Sequence, residues 1–128
     1  MKEIAPGKDP NIEYVCARCP FLSGKNNKVS SIVAVHGLNP KDKTFHAEDT
    51  WSCEGKLWLR DFLPDKLPRA RILLFGYNSN VGFESSAAGV REQALNLLNR
   101  LWLLRQGNHV RPLLFIAHSL GGIVVKEV

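Results

Sequence analysis

Ser119 is the residue of this chain whose surroundings most clearly predict chemistry. It lies in the run Leu113-Leu114-Phe115-Ile116-Ala117-His118-Ser119-Leu120-Gly121-Gly122, followed by Ile123-Val124-Val125. An apolar run before the serine and another after it predict a strand that turns abruptly into a helix, with Ser119 at the corner. Small neighbours are expected there, because the helix must pass close to the strand it leaves. Ala117 takes the first small position, and Gly121 and Gly122 take the next ones. Such a corner lifts a hydroxyl clear of the sheet. It also leaves the N–H of Leu120, at the start of the helix, facing a developing oxyanion. The expected chemistry is attack of the serine oxygen on an acyl carbonyl.

A second motif, His36-Gly37-Leu38, follows the apolar run Ile32-Val33-Ala34-Val35. A turn at the end of a neighbouring strand is where a second backbone donor to the oxyanion is expected, and the N–H of Leu38 is the candidate. His36 is expected to shape this loop by bonding to backbone rather than to act as a base.

A serine hydroxyl is a poor nucleophile until a base removes its proton. The usual order on this kind of corner is serine, then an acid, then a histidine. After Ser119 the only ionisable residues are Lys126 and Glu127, and no histidine follows before Val128. The side chain of His118 is expected to point away from that of Ser119. His46 and His109 fall in expected loops with no motif around them. The chain is therefore expected to carry a nucleophile and oxyanion donors without their acid and base.

The elements that must position these residues follow from the apolar pattern. Residues 1–30 are rich in Pro, Gly, Lys and Asn and read as an irregular segment, with a short strand over Ile12 to Val15 at most. Residues 31–128 carry the order. Ile32 to Val35, Arg71 to Tyr77 and Leu113 to Ala117 read as strands. Between the first two lie a polar loop from Lys41 to Thr50 and a helix over Trp58 to Leu63 that stops at Pro64. A Gly- and Ser-rich loop, Asn78 to Gly89, leads to a helix beginning near Ala88, with Ser85 or Ser86 as its cap and Gly107 as its stop. Val90, Ala94, Leu97, Leu98, Leu101 and Leu104 recur along it at three- and four-residue steps. Leu95 and Trp102 widen that stripe and predict a largely buried helix. The alternation of strands and helices predicts an α/β fold, three parallel strands with flanking helices. Trp51, Trp58 and Trp102 are expected to serve packing rather than substrate stacking.

Composition narrows the function classes. With 45% hydrophobic residues in 128, the chain has the make-up of a globular domain or part of one. Its formal charge of +5 comes from Lys and Arg scattered over every segment without a nucleic-acid motif, so no nucleic-acid partner is expected. The three cysteines include a lone Cys16-Ala17-Arg18-Cys19 with no second pair to complete a zinc site. Pro20 follows it at once, so free thiols are expected rather than a metal or redox centre. No metal and no cofactor is expected. The N-terminus lacks the apolar core of a secretory signal, and no apolar run approaches the ~18 residues that cross a bilayer, so an intracellular chain is expected. A nucleotide-binding P-loop is excluded by the absence of its Gly-Lys-Ser/Thr signature.

Taken in order, Val33-Ala34-Val35-His36-Gly37-Leu38, Thr50-Trp51, Trp58-Leu59-Arg60-Asp61-Phe62-Leu63-Pro64, Leu67-Pro68-Arg69-Ala70-Arg71-Ile72, Gly76-Tyr77-Asn78 and Ala117-His118-Ser119-Leu120-Gly121-Gly122 resemble the N-terminal part of a serine esterase domain of the lipase-like α/β-hydrolases. The resemblance extends over residues 31–128. It is to the serine active-site-containing protein family and to the hydrolase-like domains that open many fungal NACHT or repeat proteins. It implies a partial α/β-hydrolase fold ending after the nucleophile corner, with its three central strands present, Ile32 to Val35 between the other two and both sheet edges unpaired, and hydrolysis of an ester or phospholipid. Ser119 would be the nucleophile, and Leu38 and Leu120 the oxyanion donors. It further implies peripheral association with mitochondrial or endoplasmic-reticulum membranes, with a cytoplasmic location as the alternative. The competing reading is a non-catalytic interaction module of a larger signalling protein. Self-association through open sheet edges is expected in either case.

Overall fold

The computed structural model describes residues 12–14, 31–39, 41, 43–77, 79, 87–106 and 111–128. Its centre is a four-stranded sheet built from β1 (Ile12–Tyr14), β2 (Ser31–Val35), β5 (Arg71–Phe75) and β6 (Leu113–Ala117), in the order β1-β5-β2-β6. Strand β2 runs parallel to both β5 and β6, with Val35 opposite Phe75 on one side and Ala117 on the other. The central position expected for Ile32 to Val35 is the observed one. Every residue of β2 is buried, as a strand covered on both faces and both edges must be.

Alternate strand residues feed two cores. Val33, Val35, Leu73 and Phe75 point to one face. There they meet Val90, Ala94, Leu97 and Leu101 of α4 (Ala87–Leu104) and Val124 of α5 (Leu120–Glu127). Ala34, Ile72 and Leu74 point to the other face, against Trp51, Leu57 and Leu59. This second layer is made of short pieces: α1 (His46–Thr50), a hairpin of β3 (Ser52–Cys53) and β4 (Lys56–Leu57), then α2 (Trp58–Asp61) and α3 (Leu63–Lys66). The hairpin turns on Glu54 and Gly55 with φ of 51° and 75°. Two positive φ values in a two-residue connection are what a type I′ turn requires.

The structure corrects several expectations. Pro64 does not end a helix; it lies in the first turn of α3, where a missing N–H costs nothing. The break falls one step earlier, at the corner residue Phe62. The stretch Lys41 to Thr50 is not all loop, since α1 occupies its second half. The second strand of the sequence pattern stops at Phe75, two residues short of Tyr77. Helix α4 is buried on one stripe only, because a single sheet face lies beneath it. Leu95, Leu98 and Trp102 are exposed, so Trp102 does not serve the core as Trp51 does. One sheet edge is paired after all: β1 lies antiparallel on β5, with Ile12 opposite Phe75. Among the described residues the outer edge of β6 carries no strand.

The cap residues Ser85 and Ser86, the stop Gly107, His109, and the pair Cys16 and Cys19 lie outside the described residues. No helix of the described residues is long and apolar enough to cross a membrane, and none of them cluster as metal ligands.

Candidate functional site

The corner at Ser119 is the most unusual backbone in the described chain. Its φ is 54° and its ψ −123°, and among the described residues Glu54 in the hairpin turn is the only other non-glycine residue with a positive φ. Such a conformation costs a side-chain-bearing residue on the order of 1–3 kcal/mol and persists only where the surroundings impose it. Here they do. The N–H of His118 continues the parallel ladder onto the carbonyl of Val35 at 3.0 Å. Helix α5 begins directly afterwards, with the N–H of Gly121 on His118 O at 3.0 Å and that of Gly122 on Ser119 O at 2.9 Å. The chain has to reverse within one residue, and Ser119 is that residue. Its hydroxyl does not cap the helix; the side chain stands exposed at the C-terminal rim of the sheet.

Glycine is required at two points around this corner. A Cβ on Gly121 would run into the carbonyl of Val35 and sit 2.5 Å from that of His36, because the first turn of α5 presses on the end of β2. A Cβ on Gly37 would lie 2.8 Å from Ser119 Cβ and 3.0 Å from His118 O. The expected need for a small residue at Gly122 does not hold: open space surrounds that position. The same contacts show that the His36-Gly37-Leu38 turn and the Ser119 corner lie against each other, from sheet neighbours β2 and β6.

Two backbone N–H groups in this region have no acceptor among the described residues. Leu120 is the first residue of α5, so its N–H has none within the helix. Leu38 is partly exposed, and its N–H makes no hydrogen bond to the described residues, whereas Asn39, next in the chain, donates to Ser79 O at 3.0 Å. One atom with two lone pairs and negative charge would suit such a pair.

His36 is placed beneath this turn, not at the serine. Its ring is buried, with Nδ1 2.8 Å from Gly37 O and Nε2 accepting the N–H of Tyr77 at 3.2 Å. That pattern requires the proton on Nδ1. Burial lowers its pKa from 6.5 to about 4, opposed by the bond to Gly37 O and assisted by nearby His46. It stays a neutral, backbone-bonding group at pH 7. His46 meets it edge-on at 5.2 Å, with its own Nε2 buried and unpaired. Among the described residues no imidazole or carboxylate is hydrogen-bonded to Ser119.

Tyr77 is the site residue that sequence reasoning missed. Its hydroxyl donates to His36 O at 2.7 Å and its ring stacks on the imidazole at 4.3 Å. The pattern placed it at the end of a strand, and the only available signal was a tyrosine just past a strand-ending glycine. No protein-family model, curated protein or solved structure matches the chain. The molecule is an α/β protein in which a parallel sheet carries, on its C-terminal rim, a strained serine beside two unpaired backbone donors.

Proposed function

We propose that this chain carries the nucleophile and oxyanion donors of a serine hydrolase with the α/β-hydrolase type of fold, acting on an ester. The positive φ of Ser119 at a strand–helix corner carries the reading. A backbone strained at one exposed serine, with glycine at the two positions where a Cβ would clash, is a costly feature for a merely structural turn. In the reaction Ser119 Oγ bonds to the ester carbonyl carbon and gives its proton to a base. The carbonyl oxygen takes the charge and the N–H groups of Leu38 and Leu120 receive it. Collapse expels the alcohol, which takes up the proton, and water then releases the acid. The base would be an imidazole, and among the described residues none is hydrogen-bonded to Ser119. A phospholipid met at a membrane surface is the narrower substrate proposal, and it rests on the resemblance alone. A fluorophosphonate probe tests the reading: it should label the wild type and spare Ser119→Ala, and equal labelling of the two would remove Ser119 as nucleophile.

A second reading has one observation in its favour. Ser119 has no imidazole partner among the described residues, while the β6 edge and the apolar side chains Leu95, Leu98 and Trp102 are exposed. A non-catalytic module that self-associates through that edge would use these surfaces. Concentration-dependent sedimentation with no probe labelling would favour it.

A further inference from the structure

We propose that Tyr77 is a positioning residue for the oxyanion turn, holding the Leu38 N–H in place through His36. The inference rests on the assignment of Leu38 as an oxyanion donor, but its geometry stands apart from any activity. Tyr77 grips His36 in three ways. Its backbone N–H donates to Nε2, its hydroxyl donates to the main-chain carbonyl, and its ring covers one face of the imidazole. The first bond selects the tautomer, since an Nε2 that accepts leaves the proton on Nδ1. Nδ1–H is then directed at Gly37 O.

Gly37 O and Leu38 N–H belong to the same peptide unit. The described chain has no cis peptide, so the two groups point in opposite directions from one plane. Drawing Gly37 O down onto the buried imidazole therefore turns Leu38 N–H away from it. The hydroxyl bond to His36 O fixes the preceding peptide plane in the same way. Two consecutive planes of the turn are thus set, one by the Tyr77 hydroxyl and the other by the imidazole that Tyr77 holds. The neighbouring bond from Asn39 N–H to Ser79 O, two residues past Tyr77, ties the far end of the turn to the same segment. A tyrosine is well suited, because its ring fills the space over His36 while its hydroxyl reaches beyond.

The test uses the full chain labelled with ¹⁵N. In the wild type the His36 ring shifts should report the proton on Nδ1 throughout pH 5.5–8, and a ring protonated on Nε2 would overturn the proposal. Tyr77→Phe removes the hydroxyl bond and keeps the stack. It should move the Leu38 amide ¹H and ¹⁵N resonances, which report the orientation of that peptide plane. Hydrogen exchange at Val33 and Leu73 should be unmoved, which separates positioning from general destabilisation. Leu38 amide shifts equal to wild type would contradict it. The rate of fluorophosphonate labelling at Ser119 should fall roughly tenfold in the same variant. If the wild type takes no label, the hydrolase reading fails, while the His36 tautomer and the Leu38 amide shifts still decide the role of Tyr77.

Discussion

Gly37 and Ser119 approach so closely that a single methyl group on Gly37 would sit 2.8 Å from Ser119 Cβ. The two residues come from different strand ends, eighty-odd positions apart in sequence, and the contact is what makes one site of two motifs. Gly37→Ala forces one of them to move. Overpacking of this kind costs about 1–3 kcal/mol. A urea titration should show that loss, and the labelling rate at Ser119 should fall by more than the stability loss explains.

Gly121 and Gly122 look alike in sequence and should behave oppositely. The Cβ of Gly121→Ala would meet two backbone carbonyls, which cannot rotate away as a side chain can. We expect a loss of about 3 kcal/mol or failure to fold. Gly122→Ala enters open space inside a helix and should be neutral or stabilising by up to about 1 kcal/mol. Urea midpoints of the two variants decide the point, and equal effects would contradict the described packing.

Ser119 itself should be worth more to function than to stability. Ser119→Gly removes the Cβ from a positive-φ position and should raise stability by about 1 kcal/mol, after the entropy that glycine gains in the unfolded chain. Ser119→Ala keeps the strain and should leave the unfolding midpoint close to wild type. A glycine variant less stable than the alanine one would show that the corner is not strained.

How much of this was legible in sequence depended on range. The strands were visible because β2, β5 and β6 are short apolar runs that demand burial on both faces, and the serine corner because one strand and one helix flank it directly. The central position of β2 was implied by the hydrolase resemblance, not by the apolar pattern. What sequence could not show was contact between distant residues. The grip of Tyr77 on His36 joins positions 41 apart through bonds that each pair one side-chain atom with one backbone atom, a match no sequence pattern marks. Trp102 was misjudged because an apolar stripe reveals that a helix can be buried, not how wide a surface lies beneath it. Gly122 was over-read for a related reason: the motif names two glycines, while the carbonyls of Val35 and His36 press on only one.

His36 predicts an acid limit. Its pKa is about 4 in the folded chain and near 6.5 when unfolded, so the unfolded chain binds more protons between those values. Its contribution to stability is complete above roughly pH 6.5 and is lost as pH falls toward 4, to the extent of about 3 kcal/mol. Protonation would put a donor where Tyr77 N–H already donates, and a charge beside His46. Urea midpoints measured from pH 7 to 4 should fall more steeply for the wild type than for His36→Asn, which cannot titrate. Parallel curves would refute the buried neutral ring.

The central claim is that Ser119 is a nucleophile presented by a strained corner, and mass spectrometry of the fluorophosphonate-treated chain tests it most directly. The account predicts a single adduct, on the peptide containing Ser119, that disappears in Ser119→Ala. No adduct on that peptide after prolonged treatment, or an adduct pattern unchanged by the substitution, would contradict it.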